Sequence, residues 1–151
     1  MPTLTKNENS YLTVAEADTL IDNTFYSSVW ATKSGDDKAR SLITATRFID
    51  ALPLKGGRVS STQDLAFPRV IDDVTQESVP SDVLLAVALE AVSVKGKGGI
   101  SPTDLKSIQI NKVNIDFSDL KSESLEYGFS NSEALDLLSV FIEFTTTLSR
   151  V

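Results

Sequence analysis

The chain has 151 residues, 41% hydrophobic and 23% charged, proportions that suit one globular domain and argue against wholesale disorder. No run of about 18 apolar residues occurs and the amino terminus is polar, so neither a membrane span nor a secretory signal is expected and the protein should stay in the cytoplasm where it is made. Histidine and cysteine are absent and the net charge is -7, which removes the commonest general base, the thiol nucleophile and the usual zinc ligands, and sets the chain as a whole against phosphate.

Residues 1–10 are expected to form an extended arm ahead of a single helical domain over 11–151. Thr13-Val14-Ala15-Glu16 has the capping-box form, so a helix should start there. Val14, Ala17, Ile21 and Phe25 then mark one apolar stripe to about Tyr26. Trp30 to Gly35 reads as a turn. A second helix is expected from about Asp36 to Leu52, with Ala39, Leu42, Ile43, Thr46 and Ile49 on one side and Pro53 ending it.

From Leu54 to Pro80 no period is sustained, and Gly56-Gly57 with Ser60, Ser61 and Thr62 mark a long loop, a kind usually functional or docked. Ser81 is expected to cap a third helix to about Lys95, apolar all round from Val83 to Leu89 and therefore central to the core. Gly96-Lys97-Gly98-Gly99 reads as a flexible junction. Alternation at Ile108 and Ile110, then at Val113, Ile115 and Phe117, slips phase at Asn111-Lys112, which fits two short strands or one bulged strand in an arm over about 105–118. Ser130-Asn131-Ser132-Glu133 is a second capping box, opening a last helix over about 131–148. The fold class expected is mainly α: four helices, a long central loop and a short β-strand or hairpin arm.

Acidic groups remain as candidate ligands: Asp36-Asp37, Asp72-Asp73, and the trio Asp116, Asp119 and Glu123. None has calcium-loop spacing, so they read as solvated acidic faces and no metal is expected. Lys55-Gly56-Gly57-Arg58 and Lys95-Gly96-Lys97-Gly98-Gly99 lack the complete phosphate-loop pattern and read as turns. No catalytic residue and no cofactor are therefore expected. Trp30 reads as a core or edge anchor, with a base-stacking platform as the alternative. Phe67-Pro68-Arg69 reads either as a loop pinned by its phenylalanine, with Arg69 pairing to a carboxylate, or as a subunit contact. The strand-like residues Ile108, Ile110, Val113, Ile115 and Phe117 are candidates for edge pairing with a neighbouring subunit, the alternative being an arm folded over the third helix. From Val113 onward seven acids face Lys121 and Arg150, a net of -5, so the last third is the acidic part.

Ser10-Tyr11-Leu12-Thr13-Val14-Ala15-Glu16-Ala17-Asp18, then Ala45-Thr46-Arg47-Phe48-Ile49-Asp50, Asp64-Leu65-Ala66-Phe67-Pro68-Arg69 and Val79-Pro80 follow in an order that resembles the head-tail connector (neck adaptor) proteins of tailed bacteriophages. The same pattern is sometimes labelled a DnaT-like single-stranded DNA-binding domain. The likeness covers roughly residues 10–95; the family often has tryptophan where Phe67 stands. The resemblance implies a structural virion protein in the phage neck, made in the host cytoplasm and without enzymatic activity. Its partners would be the portal protein, other copies of itself in a ring commonly of twelve, and tail or further neck proteins, with no membrane. Genomic DNA would pass through without specific binding, and the negative charge suits such a conduit. The alternative is a single-stranded DNA-binding replication module, which should show a basic groove with interleaved aromatics.

Overall fold

The computed structural model describes residues 2–94, 108–110, 113–115 and 131–143, and for the two three-residue segments it describes the backbone. Within them the fold is mainly helical, with four helices of seven or more residues and a small three-stranded antiparallel sheet. Helix α1 spans Val14–Asp22, and its capping box is complete: the Thr13 hydroxyl accepts the Glu16 N–H at 3.2 Å, and the Glu16 carboxylate accepts the Thr13 N–H at 2.8 Å. The helix stops one turn earlier than the apolar stripe predicts. Both the backbone N–H and the hydroxyl of Thr24 donate to the Ile21 carbonyl, at 2.8 and 2.7 Å, and turn the chain away. Phe25 therefore leaves the stripe and stands fully exposed.

Where a turn is expected, Ser27–Ala31 forms a short helix, α2, which buries Trp30. Helix α3, Gly35–Asp50, is capped by the Ser34 hydroxyl, which accepts the Asp37 N–H at 3.1 Å. It buries Ala39, Ser41, Leu42, Ala45, Thr46 and Ile49. Helix α4, Ser81–Ser93, lies against α1, α3 and the last helix and forms the centre of the core, as its uniformly apolar run implies. Pro80 occupies its cap position, so Ser81 is its first residue and supplies no cap bond.

The central segment is not a structureless loop. Strands β1 (Gly57–Arg58), β2 (Arg69–Ile71) and β3 (Val74–Thr75) pair antiparallel in that order, with Arg58 opposite Arg69 and Ile71 opposite Val74. Asp72 and Asp73 connect β2 to β3 with φ of 50° and 63°, the left-handed pair that a tight two-residue hairpin requires. Their pairing in sequence thus has a backbone reason. The strands are two or three residues long, too short for alternation to register.

Strands β4 (Ile108–Ile110) and β5 (Val113–Ile115) pair with each other, Ile108 opposite Ile115 and Ile110 opposite Val113. Of the two expectations, two short strands or one bulged strand, the pairing gives two short strands. Helix α5 spans Ser132–Leu138, followed by one 3-10 turn over Ser139–Phe141. Its cap is Asn131, whose side chain accepts the Glu133 and Ala134 N–H groups at 3.0 and 3.1 Å; Ser130 is not the cap. The helix ends short of the predicted 148 because the chain there pairs with the segment after α3. Lys55 N–H donates to the Phe141 carbonyl and Glu143 N–H to the Pro53 carbonyl, both at 2.7 Å. The glycine junction Gly96–Gly99, Phe117, and the trio Asp116, Asp119 and Glu123 lie outside the described residues.

Candidate functional site

Three side chains fix the central segment to the helical body. Tyr11 is fully buried; its hydroxyl donates to Asp50 Oδ1 at the end of α3 and accepts the Phe67 N–H at 3.1 Å. Its own N–H reaches Thr46 Oγ1 at 3.4 Å. Arg69, 9% exposed, lays its guanidinium over the turn that opens the segment. Nε donates to the Lys55 carbonyl at 2.8 Å, Nη1 to Ala66 at 3.1 Å, and Nη2 to Gly56 at 2.8 Å and Leu54 at 3.4 Å. Arg69 thus meets carbonyls, where a carboxylate partner is the sequence expectation, because its five donors can satisfy several inward-facing carbonyls at once. Phe67 is 2% exposed and meets Tyr11 and Phe141 edge-on, with ring centroids 6.3 and 5.4 Å away. The structure places both residues inside their own chain, as the pins of the segment.

Burial raises the pKa of Asp50, against the opposing pull of the Tyr11 hydroxyl, the Ala66 N–H, Arg58 and Arg69. The backbone of Arg58 is paired to that of Arg69 in the sheet. Arg58 is itself exposed. Lys55-Gly56-Gly57-Arg58 is therefore the entry to a sheet, in keeping with its reading as a turn.

The face of α3 opposite the core carries Arg40 and Arg47, both exposed. Seven residues make nearly two turns, so the two stand on one stripe about 10 Å apart along the axis. Arg40 makes an exposed ion pair with Asp37 at 3.3 Å, of a type that contributes little. At the far end of the helix Asp50 turns inward to Tyr11, while Arg47 stays exposed.

On the other side of α3, Trp30, Asp18 and Lys38 form a second polar cluster. Trp30 Nε1 donates to Asp18 Oδ1 at 2.6 Å, the same oxygen takes Lys38 Nζ at 2.9 Å, and Nζ lies 5.3 Å from the centre of a Trp30 ring. Burial alone would raise the Asp18 pKa, but the bonds from Lys38 and Trp30 outweigh it and lower it. These residues line a cleft of about 310 Å³ together with Thr19, Asp22 and Ser27. Trp30 is 3% exposed, so it anchors the core with one edge on the cleft. The open aromatic nearby in sequence is Phe25, beside exposed Val29. Sequence reasoning missed it because its spacing extends the α1 stripe; the preceding Asn23-Thr24 was the available stop signal.

Buried Glu90 in α4 accepts the Asn131 N–H at 2.9 Å and so seats the start of α5. The apolar run that predicts α4 ends one residue before it. Among the described residues no group of three or more His, Cys, Asp or Glu could hold a metal ion, and no helix is long and apolar enough to cross a membrane.

The chain matches, over residues 2–147, the model of a family described as "Putative DnaT-like ssDNA binding protein". It belongs to this DnaT-like family. No curated protein and no solved structure matches it. The match overturns the connector reading and, with it, the portal protein, the ring of twelve copies, the tail proteins and the passive passage of DNA as partners. It also reaches well past residue 95, where the motifs behind the connector reading end. The connector reading rested on the order of motifs from Ser10 to Pro80, all of which lie inside the family match, and the net charge merely agreed with it. In the DnaT-like fold Glu90 is buried, Asp50 faces Tyr11, and Glu16 and Asp18 are engaged by Lys6 and Lys38, while Arg40, Arg47 and Arg58 point to solvent.

Proposed function

We propose that this protein binds single-stranded DNA in a replication-related role and catalyses no reaction. The observation that carries the reading is the family match over residues 2–147. Two features of the surface support it. Single-strand binders combine cations that follow the backbone with aromatic rings on which bases stack, and the chain presents exposed arginines on α3 and β1 and a fully exposed Phe25. The -7 total lowers affinity at long range but does not prevent binding where cations are gathered. The absence of histidine and cysteine supports a binding role over an enzymatic one.

The test is an electrophoretic mobility shift with labelled oligothymidine and a matched unlabelled duplex as competitor. The oligothymidine should be retarded and should resist the duplex. A labelled strand that runs free at every protein concentration, or that the duplex displaces as readily as unlabelled single strand does, would overturn the proposal.

A further inference from the structure

We infer that the phosphate backbone of single-stranded DNA runs along the outer face of α3 and onto β1, held by Arg40, Arg47 and Arg58; the inference rests on the binding function proposed above. A strand needs cations in a row on a rigid support, because each neutralised phosphate contributes separately. Helix α3 supplies the support: it is 16 residues long, and its opposite face is locked into the core by Leu42, Ala45 and Ile49. Arg40 and Arg47 fall on its solvent stripe with Thr44 between them on the same side. The stripe would end at Asp50 were it not for the Tyr11 hydroxyl, which holds that carboxylate inward.

Beyond α3 the inferred path reaches Arg58, exposed on β1 eight residues past the end of the helix, on a backbone that the interior of the protein holds in place. The Arg69 guanidinium fixes the carbonyls of Leu54, Lys55 and Gly56, and backbone pairing then sets Arg58 opposite Arg69. The buried network thus holds the backbone that carries an exposed cation on β1. Guanidinium groups suit phosphate because their fork donates two parallel hydrogen bonds. Two acids stand in the first turn of α3, Asp36, half-buried, and Asp37, whose exposed pairing with Arg40 a phosphate can replace.

The experiment measures the affinity for fluorescent oligothymidine across a salt series for the full-length chain and for the triple variant Arg40→Gln, Arg47→Gln, Arg58→Gln. Lys6→Gln serves as control, since Lys6 lies on the amino-terminal arm and pairs with Glu16. Circular dichroism first establishes that each variant keeps the helical signal, as exposed positions should. Every phosphate that a variant no longer neutralises lowers the slope of log K against log salt by about 0.7 for a single strand. The slope of the triple variant should therefore be shallower by about 2, while Lys6→Gln keeps the parent value. A triple variant with the parent slope overturns the placement while leaving the binding function intact. So does an equally shallow slope in Lys6→Gln, which would mean diffuse attraction. A parent chain that binds no oligothymidine at any salt removes the function and the placement together.

Discussion

At the scale of single residues, Asp50 joins the interior to the surface. Burial raises its pKa above the ordinary 3.8. A carboxyl with a raised folded-state pKa favours folding in its protonated form, and this contribution disappears as pH rises from about 4 through the folded value. Asp50→Asn should therefore flatten part of the pH dependence of urea stability: the parent loses stability relative to the variant as pH rises from about 4. Parallel curves for the two proteins would show that Asp50 does not titrate in this way. Phe25 makes the opposite case, a large apolar residue with no partner in the core. Phe25→Ala should leave folding stability within about 0.5 kcal/mol and weaken oligothymidine binding by about 1–3 kcal/mol. Unchanged binding would remove it from the interface. Neither residue was legible alone: Asp50 depends on a tyrosine 39 positions away, and Phe25 carries the spacing of a buried residue. Tyr11 and Phe67 did stand out in sequence, but what they hold together appears only in three dimensions.

At the scale of elements, the sequence spoke clearly where period and cap coincide. Thr13 with Glu16 located the start of α1, and the apolar run from Val83 located the central helix. Ends were less legible, because they depend on side chains bonding back to the last turn, as Thr24 does, or on distant pairing, as Phe141 and Lys55 do. The central sheet was invisible for another reason: its order comes from Arg69 and from backbone geometry at particular positions. Gly56 is the clearest of these. Its φ is +72°, and a Cβ there would lie 1.9 Å from the Val70 carbonyl oxygen. Gly56→Ala should cost about 3 kcal/mol or more, from the left-handed backbone and the clash together, measured by urea denaturation. Gly57, where a Cβ meets nothing within 4 Å, should accept alanine at a cost under about 1 kcal/mol. Equal losses at the two positions would mean that the sheet is not built around the Gly56 turn.

At the scale of the whole molecule, apolar periodicity and helix caps gave the mainly helical class, while the motif resemblance pointed to the wrong family. The -7 total sets the chain as a whole against phosphate and many described carboxylates are exposed, yet Arg40 and Arg47 share one solvent stripe of α3 and Arg58 is exposed on β1. Charge acts through its distribution, and distribution follows from folding. The central claim, that this DnaT-like chain binds single-stranded DNA, is tested most directly by fluorescence anisotropy of labelled oligothymidine titrated with the protein at about 50 and 200 mM salt. Saturable binding is expected at the lower salt, weakened several-fold at the higher; anisotropy that stays flat at both salts would show that the chain does not bind the strand.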